Sequence, residues 1–390
     1  MVEFLKRSYK IKCPCCNLRK NYNFSWQFSG FDKSIFNYKA LYKLCSNCGH
    51  LYISNIKENS LNYFYNSEQA NYTQKKEFNK NLKSNIAKYK FYINQIPKNN
   101  NIVVCDLGCG NGGYLNFLKK NRPDLNLIGI DHLSAKFNTD KHINFIDGSS
   151  TKIPLNSNSV DCLTSFHTFE HVKNLNKTLR EIKRVLKING RLIIEVPNSY
   201  GYKSNEIVKG YWFTIREHIH HFNHKSLYEL LKNDFKIIKV LKQNLESPYT
   251  SYPSLLVVAQ KSDTINIQFK ESKKGLQNFM GYLHAIDKSF REIDFKINNI
   301  ENKTICFWGI SNIAYSILPR LKKTQKKFFL FDKNINLSGE DINGIIVSQP
   351  KFRYNSTLIC LVPNFFTQVK KEALKLGWKN SNILSISEFL

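Results

Sequence analysis

Three sets of residues in this 390-residue chain are of types and spacings that do chemistry. The first is made of cysteines. Five of the ten fall in two knuckles, Cys13-Pro-Cys15-Cys16 and Cys45-Ser-Asn-Cys48-Gly-His50. A C-x2-C turn sets two thiolates on the same side of a tight loop, and two such turns can close a tetrahedral Zn²⁺ site. Cys13, Cys16, Cys45 and Cys48 are the expected ligands, with Cys15 and His50 as the spares. Four sulfurs leave no open coordination position, so the expected zinc is structural. Cys105, Cys109, Cys162, Cys306 and Cys360 lack metal spacing and read as core residues.

The second set is a glycine loop with two carboxylates. The apolar strand IVVCDL runs into Gly108-Cys109-Gly110-Asn111-Gly112-Gly113 and then into the helical run YLNFLKK. Strand, glycine turn and helix form a nucleotide-binding unit: the backbone can approach the ligand, and the helix start offers free N–H groups. Asp106 closes the first strand. Asp131 closes the second, LNLIGID, where an acidic residue suits a ribose diol.

The third set can move protons. His167, Glu170 and His171 follow a strand within CLTSFHTFEHV. Arg216-Glu217-His218-Ile219-His220-His221-Phe222 follows RLIIEVPN. A Glu beside a His orients the imidazole and raises its basicity. On an extended chain His218 and His220 share one face, and Glu217 and His221 the other. His167 is expected to line the cofactor pocket.

Asp106 with its glycines reads D-x-G-x-G-x-G, which resembles motif I of class I S-adenosylmethionine-dependent methyltransferases. INFIDGSSTKIPLNSNSVD is similar to the family's third unit, with Ser149 where an acidic adenine contact is usual, and Ser149, Ser150 or Asp147 can hydrogen-bond the adenine amino group. Phe169-Glu170-His171-Val172 is similar to its "LEHV" stretch. The resemblance implies a cofactor site made by Asp106, Gly108, Gly110, Asp131, Ser149 and His167. The order of segments further resembles the NDP-sugar 3-C-methyltransferases of deoxysugar pathways: a four-cysteine segment, YNSEQANY at 65–72, the core, and a C-terminal α/β domain. Glu217 and His218 match that family's Glu-His. Ile215 stands at its tyrosine and Arg216 at its first histidine. The resemblance implies His218, Glu217 and His171 as the catalytic set. For reaction at carbon, His218 removes the proton alpha to a carbonyl and His171 holds the enolate oxygen. For reaction at oxygen, His218 or His171 deprotonates a hydroxyl.

The elements that must position these residues give an α/β fold. A Rossmann-like methyltransferase core spans 85–260, after an N-terminal zinc-binding segment, 1–84. A helical bridge, 261–300, leads to a smaller Rossmann-like domain, 301–390. That domain repeats the strand–glycine–helix design in TICFWGISNIAYSILPRLKK, with Asp332 ending its second strand. Its turn keeps only Gly309, so a dinucleotide fits poorly; holding the sugar nucleotide, or packing, is the expected role.

Hydrophobic content of 42% and charged content of 23% exclude wholesale disorder and a fibrous protein. No apolar run reaches the length of a membrane span, and the N-terminus lacks a secretory h-region, so a cytoplasmic chain is expected. The formal charge of +28 fits a phosphate-rich partner. It is also scattered, in a chain rich in the residues of AT-rich codons. The scatter argues against nucleic acid, and the acceptor that the resemblance implies is a small sugar nucleotide. An RNA methyltransferase is the alternative enzyme, but its aromatic RNA-binding pattern and NPPY-type loop are missing. A cofactor-binding scaffold without activity is the non-enzymatic alternative.

Overall fold

The computed structural model describes residues 7–27, 39–56, 83–132, 142–204, 208–246, 251–262, 274–321 and 326–390. The YNSEQANY stretch lies outside them. The chain divides into two compact units. The first comprises Met1–Phe24, Tyr42–Tyr202 and Glu217–Leu276, and the second Ser25–Leu41, Lys203–Arg216 and Gln277–Leu390.

The first stretch carries β1 (Arg7–Ser8), β2 (Asn21–Gln27), β3 (Lys39–Cys45) and β4 (Leu51–Ile53). There follow α1 (Lys83–Ile93), β5 (Val103–Leu107), α2 (Gly113–Asn121), β6 (Asn126–Asp131), β7 (Ile143–Asp147), β8 (Val160–Phe166), α3 (Leu175–Val185) and β9 (Leu186–Pro197). Then come β10 (His220–His221), α4 (His224–Leu231), β11 (Phe235–Glu246) and β12 (Ser251–Lys261). Seven strands form the central sheet in the order β11-β12-β9-β8-β5-β6-β7. β7, β6, β5, β8 and β9 are parallel, and β12 and β11 complete the sheet antiparallel. Strands covered on both faces read as continuous apolar runs. In β5, for example, Val104, Cys105 and Leu107 are all buried. Strand order reverses between β5 and β8, so a crevice is expected beyond their carboxyl ends.

Helix α3 shows how the local sequence serves this sheet. Leu175, Leu179, Ile182 and Val185 are buried along one stripe, the spacing of an amphipathic helix. The Asn174 side chain caps its start by accepting the Lys177 N–H. The run NKTLREIKRVLK suggests a helix continuing toward Gly190, but the helix ends at Val185. Leu186, fully buried, turns extended and pairs with Val160, and the register then shifts so that Cys162 faces Arg191.

Five strands make a second sheet in the order β1-β2-β3-β4-β10. β10, from the histidine segment, is its edge and runs antiparallel to β4.

In the second unit, α5 (Lys274–Asn298) leads to β13 (Thr304–Trp308), α6 (Asn312–Ile317), β14 (Lys327–Phe331), β15 (Asp341–Ile342), β16 (Ile345–Ser348), β17 (Ser356–Cys360), α7 (Phe366–Leu376) and β18 (Ile383–Ser385). The sheet order is β15-β16-β14-β13-β17-β18, parallel apart from β15. Phe279, Leu283, Ile286, Phe290 and Ile293 bury one stripe of α5. The Trp26 ring lies tilted 4.5 Å from Phe290 and 5.8 Å from Phe213, with the Arg320 guanidinium over it. Burying aromatics of this size stabilises by about 1.5–3 kcal/mol each, which draws stretches from two distant parts of the chain into this unit. No helix among the described residues is long and apolar enough to cross a membrane.

Candidate active site

The glycine loop starts where β5 leaves the sheet. Gly108 has φ +80°, and a Cβ there would sit 2.1 Å from Thr168 Oγ1. Gly110 has φ +52° and nothing within 4 Å of the place a Cβ would take. The loop is therefore packed on one side and open to a ligand on the other. The Gly110 N–H donates to Asp131 Oδ2 at 2.8 Å, and the His132 N–H donates to Asp131 Oδ1 at 2.7 Å. Each carboxylate oxygen keeps accepting capacity for a diol. Asp106 is buried behind the loop and accepts from Thr164 Oγ1 at 2.7 Å. Burial pushes its carboxyl up to about 7, although the Thr164 hydroxyl pulls the other way.

Ser149 follows β7, whose Asp147 lies beside Asp131 in register. Its Oγ accepts the Thr151 N–H at 3.3 Å. The loop beyond is held from α3: Arg184 donates to the carbonyls of Ile153 and Leu155, and Glu181 accepts the Ile153 N–H. Asp106, Gly108, Gly110, Asp131 and Ser149 thus lie at the carboxyl ends of neighbouring strands.

His167 leaves β8 with φ +52°, a backbone conformation uncommon for a non-glycine residue. Its Nδ1 is 3.2 Å from Glu170 Oε1, and its Nε2 is 2.8 Å from Glu195 Oε1 and 3.1 Å from the Tyr252 hydroxyl. Burial alone would lower the imidazole, but hydrogen bonds to Glu170 and Glu195 raise it to about 10. Gln243 Nε2 donates to Glu195 Oε2. Sequence reasoning did not single out Glu195 or Tyr252. The one available signal was a glutamate inside the otherwise apolar run IIEVP.

Beyond His167, the turn holding Glu170 and His171 meets the histidine segment. The Ile219 N–H donates to the Glu170 carbonyl, and the Ile53 N–H donates to the Ile219 carbonyl, both at 2.9 Å. His171 Nδ1 lies 3.1 Å from the Glu217 carbonyl oxygen. That oxygen only accepts, so Nδ1 carries a proton and Nε2 is left as the acceptor of the neutral ring. The His171 and His218 rings are 4.8 Å apart, edge to face. Burial holds His218 well below the usual histidine range, which keeps it an uncharged imidazole. Glu217 contributes its carbonyl to this geometry.

The neighbours of His218 have partners in the interior. His220 Nε2 donates to the Val172 carbonyl at 2.9 Å, and burial lowers the ring to about 3. His221, on the opposite side of the strand, meets the Tyr202 hydroxyl at 2.9 Å through Nδ1.

The four expected cysteines converge. Cys13 Sγ and Cys48 Sγ are 3.6 Å apart, Cys16 Sγ and Cys45 Sγ are 3.5 Å apart, and all four sulfurs lie within 4.8 Å of one another. Cys15 and His50 stand outside this group. Asn223 Nδ2 donates to the Cys48 carbonyl at 3.0 Å, and Lys225 Nζ donates to the Asn47 carbonyl. The knuckle therefore grips the chain just after the histidine segment.

Residues 77–240 match a family model described as "Methyltransferase domain". The chain is 34% identical over 95 residues to the demethylmenaquinone methyltransferase of Thermotoga maritima, covering 23% of this chain and 42% of that protein. It is 31% identical over 100 residues to the ubiquinone/menaquinone biosynthesis C-methyltransferase UbiE of Campylobacter jejuni, covering 23% and 43%. The chain thus spans less than half the length of the curated relatives it matches. Among solved structures it is similar to the geranyl diphosphate C-methyltransferase of Streptomyces coelicolor, at 15% identity and a TM-score of 0.37, covering 46% of this chain and 81% of that one. It is also similar to the complex of the Haloferax volcanii Trm112 methyltransferase activator with a putative methyltransferase, at 17% identity and a TM-score of 0.38, covering 44% and 88%. Taken with the glycine loop, the placement of Asp131 and the strand order of the central sheet, the family match makes residues 77–240 a class I S-adenosylmethionine-dependent methyltransferase domain.

Proposed function

We propose that this chain transfers a methyl group from S-adenosylmethionine to a nucleotide-linked deoxysugar, at a carbon next to a ketone or at a hydroxyl, in deoxysugar or surface-polysaccharide biosynthesis. The observation that carries this reading is the pair of imidazoles, His171 and His218, 4.8 Å apart beyond β8 on the cofactor-loop side of the sheet. When bound, the cofactor supplies a methyl group already activated on a sulfonium. The protein must then align a nucleophile and remove its proton. Asp131 and the open backbone at Gly110 hold the cofactor, with Asp106, Gly108, Ser149 and His167 around it. For a carbon acceptor, His218 takes the proton alpha to the carbonyl, and His171 holds the enolate oxygen. For a hydroxyl acceptor, His218 or His171 Nε2 takes the proton.

The sugar-nucleotide part of the reading is supported by the order of segments and by the second unit. A cavity of about 150 Å³ lies past the carboxyl ends of β13 and β17, lined by Ser311, Asn312, Val362, Phe365 and Tyr211 among others. Strand order reverses at β13 and β17, the usual place for a ligand in an open parallel sheet. Its hydroxyl, amide and aromatic groups suit part of a nucleotide.

We further propose that Cys13, Cys16, Cys45 and Cys48 hold a structural zinc. Four sulfurs about 2.3 Å from one zinc stand about 3.8 Å apart in a tetrahedron, close to the separations of 3.5 and 3.6 Å. None of the ten cysteines is in a disulfide, which suits action in the reducing cytoplasm.

The test offers methyl-labelled S-adenosylmethionine to two pools, NDP-4-keto-6-deoxysugars and total RNA. Label on a sugar nucleotide, with loss of the alpha proton, is the expected result for a carbon acceptor. Label in RNA would overturn the sugar reading.

A further inference from the structure

The turn after β8 and the histidine segment bring together three metal-ligating groups that the four-cysteine cluster does not use. Glu170, His171 and His218 each offer one ligand atom, and these atoms lie within 4.8 Å of one another. Three donors about 2.1 Å from one ion stand roughly 3 to 4 Å apart, so they need to draw in by about an ångström or less.

The state of each donor points the same way. Glu170 is only 1% exposed. Its Oε1 is taken by His167, while its buried Oε2 has no hydrogen-bond partner. His218 Nδ1 is likewise buried without a partner. Such groups are costly to leave unmatched inside a protein and call for an explanation. His171 gives its Nδ1 proton to the Glu217 carbonyl, which leaves Nε2 as a lone-pair donor. A metal-ligating histidine is held in this way by a carbonyl or carboxylate on its far nitrogen.

We propose that Glu170, His171 and His218 bind one divalent transition-metal ion, zinc being the simplest case. Two imidazoles and one carboxylate suit such an ion and leave coordination positions open. The consequence for turnover rests on our reading that these imidazoles deprotonate the acceptor. A ring nitrogen whose lone pair ligates a metal accepts no proton, and the other nitrogen of that ring already carries one. The ion therefore withdraws both bases, and loading this site inhibits methyl transfer.

The experiment titrates Zn²⁺ into the full-length chain by calorimetry and counts bound zinc by elemental analysis. Wild type should bind one equivalent more than Glu170→Gln, His171→Ala or His218→Ala, or bind that equivalent at least tenfold more tightly. S-adenosylmethionine binding serves as the check that each variant is folded. If the buried Glu170→Gln chain does not fold, the two histidine variants decide. Equal zinc binding by wild type and both histidine variants would overturn the site. With a working acceptor, the additional zinc should cut the wild-type rate at least tenfold, and a chelator too weak to strip the cysteine cluster should restore it. An unchanged rate at full occupancy would overturn the inhibition. No turnover with or without zinc would count against the methyl-transfer reading, while the zinc count still decides the site.

Discussion

His50 Nε2 lies 3.0 Å from His220 Nδ1, with the two rings stacked 5.1 Å apart in the interior. Because His220 Nε2 donates to the Val172 carbonyl, the neutral ring accepts from His50 at Nδ1. This pair, with β10 alongside β4, ties the second cysteine knuckle to the strand entered by His218. The cysteine segment thus helps hold the strand that follows His218. The cofactor loop is built separately, on β5 and β6.

That separation gives a prediction. Cys45→Ser should remove the equivalent of zinc held by the cysteine cluster and lower methyl transfer by tenfold or more, while S-adenosylmethionine affinity stays within about twofold. Elemental analysis, calorimetry and a turnover assay on one preparation would check it. Full transfer by the chain lacking this zinc would sink the positioning role.

Asp131→Ala should weaken S-adenosylmethionine binding by an order of magnitude or more. A hydrogen bond to a charged group contributes about 1.5–3 kcal/mol, and the variant also strips the Gly110 N–H of its acceptor. Calorimetry would measure this, and unchanged affinity would remove Asp131 from the cofactor site.

The histidine segment should divide by function. His218→Ala is expected to keep cofactor binding and melting temperature while turnover falls roughly 10²–10⁴-fold, the range for loss of a general base. His220→Ala is expected to lower the melting temperature first, since it leaves His50 and the Val172 carbonyl unpaired in the interior. Equal effects of the two changes on stability would refute this division.

What was legible in the sequence is what chemistry constrains locally. The loop around Gly108 and Gly110 and its link to Asp131 could be read because a turn at positive φ favours glycine and a carboxylate ending the next strand can take the loop's N–H. The second unit repeats the device: the Ile310 N–H donates to Asp332 Oδ2 at 2.8 Å, as the Gly110 N–H does to Asp131. The cysteine knuckles were legible for the same reason. Contacts between distant segments were not. Glu195 and Tyr252 reach His167 from β9 and β12, strands whose pairing no local pattern announces. His50 could be read only as a spare metal ligand, because its partner His220 is brought in by the closing of the small sheet. Trp26 meets Phe213, Phe290 and Arg320 from distant stretches of the chain, which no local pattern announces. The end of α3 was missed because burial of Leu186 overrides the helical propensity of the residues after it.

Asp106 gives the last prediction, through pH. Its ordinary value is 3.8, and burial raises it to about 7 in the folded chain. Below the ordinary value the group is protonated in both states and costs nothing. Between 3.8 and about 7 the unfolded chain releases the proton while the folded chain keeps it. The unfolded state then binds fewer protons, so stability falls as pH rises through this window, by at most about 1.4 kcal/mol per pH unit. Above the folded value the loss is complete and the contribution levels off. Asp106→Asn keeps an oxygen for the Thr164 hydroxyl and removes the titration. Its melting temperature should therefore gain on wild type as pH rises from about 4 to 7 and hold a constant lead above that. Parallel melting curves for the two proteins across the window would show that Asp106 is not held protonated by the fold.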